Sequence, residues 1–280
     1  RYIRGPNSSF SANTFKLFGN GNSWYNSILG NYSMSMGNSS IDYYIDKDSS
    51  GNESKIKIIK KPSLYQKSNF NAPIKNLFGW MNITPTIKLN EYWIWTYKEE
   101  TASGADTNLV DKDGFKRRLT WNSALSANTK MYGLFPITIG HLNAIRHVIT
   151  PTISFNYSPD FSDPYYGYFQ TKSPSGKQID YFQDYSKTPN KEKRYYSLSI
   201  KNLFQAKILN ENGGYDKPNL LSSTSNISYS PLKNNAQLSE LSSTINMNNI
   251  SGHKLIGISM KHDFYKLNED KFINVWNGEL

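Results

Sequence analysis

Val148-Ile149-Thr150-Pro151-Thr152-Ile153-Ser154-Phe155-Asn156-Tyr157 repeats with a period of two. Ile149, Pro151, Ile153, Phe155 and Tyr157 share one parity, while Thr150, Thr152, Ser154 and Asn156 share the other. Successive side chains of a strand point to opposite faces, so the stretch reads as a strand with one apolar face and one hydroxyl- and amide-bearing face. Outward from it the pattern recurs. In 80–89, Met81, Ile83, Pro85, Ile87 and Leu89 oppose Asn82, Thr84, Thr86 and Lys88; the windows 119–131, 196–208 and 256–264 alternate in the same way. Weaker alternation at 9–17, 25–36, 68–74, 92–98, 222–230 and 241–249 brings the expected total to about eleven strands. The polar stretches 46–54, 99–114 and 170–193 read as loops. No comparable helical stripe is present.

The polar parity decides what kind of sheet this is. A sandwich leaves its outer face to water, and that face normally carries many Glu, Lys and Arg. Here it is mostly Ser, Thr and Asn, small uncharged groups suited to a wet interior, with the apolar parity left to meet lipid. Rings near strand ends add to this: Tyr157-Ser158-Pro159 and Tyr229-Ser230-Pro231 close two strands alike. Tyr92, Trp93 and Trp95, and likewise Tyr165, Tyr166, Tyr168 and Phe169, cluster where an interfacial girdle is expected. The predicted class is all-β, an antiparallel transmembrane β-barrel segment, with residues 1–280 forming part of a single barrel domain and no separate second domain. Aromatic-rich strands of a soluble sheet are the competing reading.

Composition narrows the alternatives. Of the 280 residues only 37% are hydrophobic, while aromatics reach 14%, so apolar surface is carried by rings rather than aliphatic runs. The longest apolar candidate, Met131 to Ile137, holds Gly133 and Pro136 and is far short of the roughly 20 residues a spanning helix needs. A charge of +10 favours anionic partners, among them nucleic acid and the phosphates of phospholipid or lipopolysaccharide. Cysteine is absent, which removes disulfides, thiolate metal sites and Cys nucleophiles. The chain opens on Arg1-Tyr2-Ile3-Arg4 without an initiator Met and reads as a piece of something longer.

The search for reaction chemistry is negative, and no catalytic residue, metal or cofactor is expected. His141, His147, His253 and His262 lack zinc spacing, and no Gly-x-Ser-x-Gly elbow occurs. Asp46-x-Asp48-x-Ser50-Gly51 resembles the start of a calcium loop, but Lys57 stands where the closing acidic ligand belongs, so it reads as an Asx-rich turn. Gly19-Asn20-Gly21 has no following helix and is a turn, and the dispersed basic residues match no nucleic-acid motif. Lys88, Lys130, Lys201, Lys207 and Lys261 all fall on the polar parity. A positively charged lumen for phosphate-bearing cargo explains this, and so does simple avoidance of the lipid face, where a lysine costs roughly 2–4 kcal/mol at midplane. Ile83-Thr84-Pro85-Thr86-Ile87 recurs as Ile149-Thr150-Pro151-Thr152-Ile153. Proline removes a ladder donor, so Pro85 and Pro151 mark weak or bent places in the sheet.

One tract is specific. Leu134-Phe135-Pro136-Ile137, Ala144-Ile145-Arg146-His147-Val148-Ile149-Thr150-Pro151, Ser154-Phe155-Asn156-Tyr157-Ser158-Pro159-Asp160-Phe161 and Tyr165-Tyr166-Gly167-Tyr168 together resemble the barrel domain of the lipopolysaccharide-assembly family LptD, in its Bacteroidetes-like form. The resemblance implies a non-enzymatic translocon in the outer membrane of a Gram-negative bacterium. Such a protein takes lipopolysaccharide from a periplasmic bridge protein of the LptA type and releases it through a lateral opening, with a plug lipoprotein of the LptE type inside. The chain departs from the family in lacking the periplasmic jelly-roll and cysteines, and its strands are too few for so large a barrel; an incomplete segment accounts for all three. On this reading Asn82, Thr84, Thr86, Lys88, Thr150, Thr152, Ser154, Asn156, Lys201 and Lys261 face the lumen and cargo. Arg146 and His147, read as preceding their strand, bind lipid phosphate at the interface or anchor the strand there. The rival readings are another outer-membrane barrel, such as a porin or nutrient receptor, and a soluble β-sandwich adhesin or carbohydrate-binding protein.

Overall fold

The computed structural model describes residues 7–21, 23–47, 53–103, 106–210, 212–234, 236–249, 253–265 and 275–279. The strands are β1 (Ser8–Lys16), β2 (Leu29–Lys47), β3 (Glu53–Asn71), β4 (Ile74–Leu77), β5 (Met81–Ser103), β6 (Asp106–Thr129), β7 (Met131–Ile139) and β8 (Leu142–Ser158). They continue with β9 (Phe169–Gln170), β10 (Ile179–Asp180), β11 (Lys193–Leu209), β12 (Tyr215–Asp216), β13 (Asn219–Tyr229), β14 (Leu241–Asn248), β15 (Lys254–Asp263) and β16 (Val275–Glu279). A 14-stranded sheet has the order β1-β2-β3-β5-β6-β8-β11-β13-β14-β15-β16, with β4 on β5, β7 on β8 and β12 on β11, while β9 and β10 form a separate pair. The eleven strands of that path are the number expected from periodicity.

Three features differ from the sequence reading. The windows 80–89 and 92–98 are one strand, and the polar stretch 99–114 is mostly strand, because β5 and β6 run to 23 and 24 residues. Once a ladder is in register each added residue contributes a backbone bond, and polar side chains do not oppose it where both faces meet water. These two strands are thus much longer than the roughly ten residues that a membrane crossing needs. β7 carries no period-two signal, because Met131, Tyr132, Leu134 and Phe135 put apolar groups on both parities. Pairing with β7 extends β8 backwards, from Leu134 opposite Arg146 and Gly133 opposite His147, so Arg146 and His147 lie inside their strand rather than before it. The expected loop 46–54 and its Asx turn fall largely outside the described residues, since 48–52 are not among them.

The prolines sit at irregularities, as the ladder chemistry requires. The pairing of β3 with β5 ends at Asn71 opposite Thr86, and that of β4 with β5 resumes at Ile74 opposite Ile83. The gap of Ala72 and Pro73 therefore lies across from Pro85 and Thr84. Pro151 stands where β8 passes from β6 to β7, and Pro136 begins the register shift that ends the β7 ladder. Each strand nevertheless runs on through its own proline.

The chain divides into two compact units. The first comprises 1–72, 86–123 and 158–192, and its core includes Ile94, Phe161 and Phe182, all fully buried, together with Leu64. The second comprises 73–85, 124–157 and 193–280, with Ala144, Val148 and Ala206 buried between strands. In the first unit Gly30 of β2 is confined between rings: a Cβ there would lie 3.0 Å from Phe15 and 3.3 Å from Phe70.

Candidate functional site on the polar face

In the second unit the register carries one chemistry across four strands. Lys201 is opposite Thr224, Thr224 opposite Thr244, and Thr244 opposite Ser259; Ser199, Asn226, Ser242 and Lys261 form the parallel row. Their neighbours on the other face are Phe204, Leu221, Met247 and Ile256. Because a strand's side chains alternate, these rows are two faces of one sheet, hydroxyl, amide and ammonium on one side and mainly hydrocarbon on the other, where Ser225 bonds Ser243 and Asn202 bonds Ser223 between the apolar rows. Side-chain bonds extend the polar face to earlier strands: Asn82 donates to Asn128 at 3.2 Å, and Ser154 to Ser126 at 3.1 Å. Alternation along β5 and β8 then places Thr84, Thr150, Thr152 and Asn156 there too.

Thr86 and Lys88 lie on the polar face of the first unit, opposite Asn71 and Asn69. On the apolar side Ile87 and Ile153 are 49% and 59% exposed, and among the described residues no second layer covers them. Arg146 and His147 are not brought together. Arg146 donates from Nε to Gln205 at 2.9 Å, whereas His147 stacks on Phe204 at 4.0 Å between ring centroids and lies 3.1 Å from Asn202. Lys261 has an acidic neighbour, with its ammonium 3.6 Å from Glu240.

The first unit's polar face carries a feature that no sequence signal specified. The chain between β8 and β11, nearly devoid of regular structure, folds down onto β3, β5 and β6. At its centre is Arg118 of β6, buried and donating to Ser186 O and Thr188 Oγ1, both at 2.7 Å. Its guanidinium lies 4.9 Å from the Tyr92 ring and 4.7 Å from that of Phe182. Asp180 accepts from the backbone N–H of Phe182 and from both N–H and hydroxyl of Thr188, completing an Arg-Thr-Asp network. Tyr168 receives the N–H of Leu119 and returns its hydroxyl proton to the Leu119 carbonyl, a side chain acting as a ladder partner. Gln170 does the same for both backbone groups of Glu100.

Charge and rings complete the anchorage. Lys61 and Lys98 both reach Asp184, at 2.7 and 3.4 Å, and the Lys116 ammonium stands 4.0 Å from the Tyr181 ring centroid. The Tyr185 hydroxyl donates to Thr96 O at 2.8 Å. Burial foremost, then the negative charges of Asp184 and Asp111, pushes the Tyr185 phenol well above its usual range. Tyr181 is raised for the same first reason, with Glu99 next. The expected girdle is accordingly divided. Trp93 and Trp95 flank Phe115 in the sheet, but Tyr166 and Tyr168 pack on Phe161 inside the folded segment, and Tyr165 is 89% exposed. The only available hint was the density of rings in a stretch otherwise reading as loop. Among the described residues no group of acidic and imidazole side chains could hold a metal.

An all-β antiparallel sheet of long strands, with hydrocarbon on one face and hydroxyls and amides on the other, is the construction of outer-membrane barrel proteins. Residues 2–265 match the family model of the LptD protein, and the chain belongs to that family. It is thus a transport protein of the outer membrane and not an enzyme, its family carries lipopolysaccharide to that membrane, and its sheet is consistent with a partial segment of the family's barrel. No curated protein matches the chain.

Proposed function

We propose that the polar face of this chain is part of the path along which lipopolysaccharide crosses the outer membrane, one barrel domain contributing strands to a hydrated lumen. The observation that supports it most is the continuity of the polar rows from Lys201 and Ser199 to Ser259 and Lys261. Sugars and phosphates need donors and acceptors along their route, and Asn82, Thr84, Thr86, Thr150, Thr152, Ser154 and Asn156 supply both, while Lys88, Lys201 and Lys261 supply charge for phosphate. Acyl chains need only the hydrocarbon outside. A lateral opening releases the lipid, a plug lipoprotein of the LptE type occupies the interior, and a periplasmic bridge of the LptA type delivers cargo. Pro85 and Pro151 weaken the ladder beside this path.

The test is replacement of Lys88, Lys201 and Lys261 together by Glu or by Gln in cells depleted of the wild-type protein. Surface lipopolysaccharide should fall further with Glu than with Gln, at equal amounts of folded protein. Equal export by the two variants removes electrostatics from the path, and unchanged surface lipopolysaccharide on depletion itself removes the transport reading.

A further inference from the structure

β7 is paired along one edge only. Its partner is β8, and among the described residues no strand lies on its other side. The reason is local. β5 starts at Met81 after the turn at 78–80, and the Thr129 hydroxyl already donates to Trp80 O, so β5 has ended where β7 begins. The bare edge belongs to a strand that is apolar on both faces. Leu134 shares a face with Arg146 and Phe135 the other with Ile145, and Tyr132, Leu134, Phe135 and Ile139 are 64%, 66%, 52% and 72% exposed.

No single solvent suits such a strand. In hydrocarbon the unpaired N–H and C=O groups of its edge would each cost several kcal/mol. In water the edge is satisfied but two faces of large apolar side chains remain wet, the combination that templates pairing with another chain. An added strand bonds the edge, and its own side chains flank those of β7 on each face. The charge around it selects the partner: 73–85 and 124–157 contain Lys75, Lys130 and Arg146 but no Asp or Glu. The usable length is also limited, since the ladder shifts register after Pro136 and leaves Met131–Phe135 as the regular stretch.

We propose that the free edge of β7 is a strand-addition site for a short β-strand of a partner polypeptide in which apolar and acidic residues alternate. Main-chain bonds supply the attachment, and the positive field of Lys130, with Arg146 behind it held by Gln205 on the β11 side, favours acidic side chains over basic ones. This does not depend on the cargo reading above.

The test uses the full protein in detergent and two seven-residue peptides, one alternating Val with Glu and one alternating Val with Lys. The Glu peptide should bind at least tenfold more tightly and slow amide hydrogen exchange across 131–135. In the double variant Lys130→Glu, Arg146→Glu the preference should invert, an outcome that loss of fold cannot imitate. Equal binding of the two peptides, or binding without protection of 131–135, overturns the proposal. So does concentration-dependent protection of those amides without peptide, which makes a second copy of the chain the occupant.

Discussion

Arg118→Met should free the segment between β8 and β11 from the sheet while leaving the sheet itself paired. The methionine keeps most of the aliphatic stem but loses the two charge-assisted bonds to Ser186 and Thr188 and the stacking between Tyr92 and Phe182. Removing one member of a buried ionic network costs about 3–5 kcal/mol, because the remaining polar groups stay desolvated without their partner. At about 1.4 kcal/mol per tenfold, the open population of the segment rises roughly 10²- to 10⁴-fold. The segment contains Lys172, Lys177, Lys187 and Lys191, so trypsin reads this directly. When opening and closing are fast relative to cleavage, the cutting rate follows the open population. Cleavage in 172–191 should accelerate by that factor, and Thr188→Val, which removes the hydroxyl's bonds to Arg118 and Asp180 but keeps the guanidinium and its bond to Ser186, should accelerate it less. If Arg118→Met is cut no faster than the unaltered protein, Arg118 is not the anchor and the reasoning fails.

Tyr185 gives the same anchorage a pH dependence. Its phenol is raised in the folded state, so its contribution is fully present below the ordinary value of 10.0 and is lost as pH climbs from there toward the folded value. Tryptic sensitivity of the segment should therefore increase above about pH 10, and Tyr185→Phe should remove part of that increase. Ile153→Lys should cost roughly 2–4 kcal/mol in bilayer folding titrations against about 1 or less for Thr152→Lys, and equal costs would mean the two faces are wrongly assigned. Gly30→Val drives methyl groups into Phe15 and Phe70 and should destabilise by about 1–3 kcal/mol in urea unfolding, with Phe15→Leu restoring part of the loss. Asp184→Asn should matter little, about 1 kcal/mol or less, because Lys61 and Lys98 reach it near the surface; a tryptic effect as large as that of Arg118→Met would overturn this ranking.

Periodicity carried the faces of the sheet well. Residues 148–157, 196–208 and 256–263 fall in strands with the expected parity, and the weaker windows lie in strands over 9–16, 222–229 and 241–248, whereas 119–131 breaks at Lys130 and 25–36 opens on a short helical turn. The signal fails where its physical basis fails. In β7 both parities are apolar, and in 99–114 both are polar, so alternation is absent although the backbone pairs. The network around Arg118 lies beyond any local reading, because it joins residues about seventy positions apart, Arg118 to Ser186 and Glu100 to Gln170. Nothing in the spacing of Arg118 distinguishes it from the exposed Arg117 beside it, which bonds Glu91 on the opposite side. His147 shows the converse: a histidine next to an arginine suggests a joint phosphate site, but alternation sends the two side chains to opposite faces.

The length of β5 has a consequence for the cell surface. At about 3.3 Å per residue its 23 residues measure roughly 75 Å, against an apolar band of about 25 Å in an outer-membrane barrel. Tilted by about 40° it spends roughly 33 Å in that band, so about half of the strand must stand clear of the oil as a stiff hydrogen-bonded palisade. Antibodies, phages or neighbouring glycans approaching from that side would meet ordered backbone before they met any floppy tip.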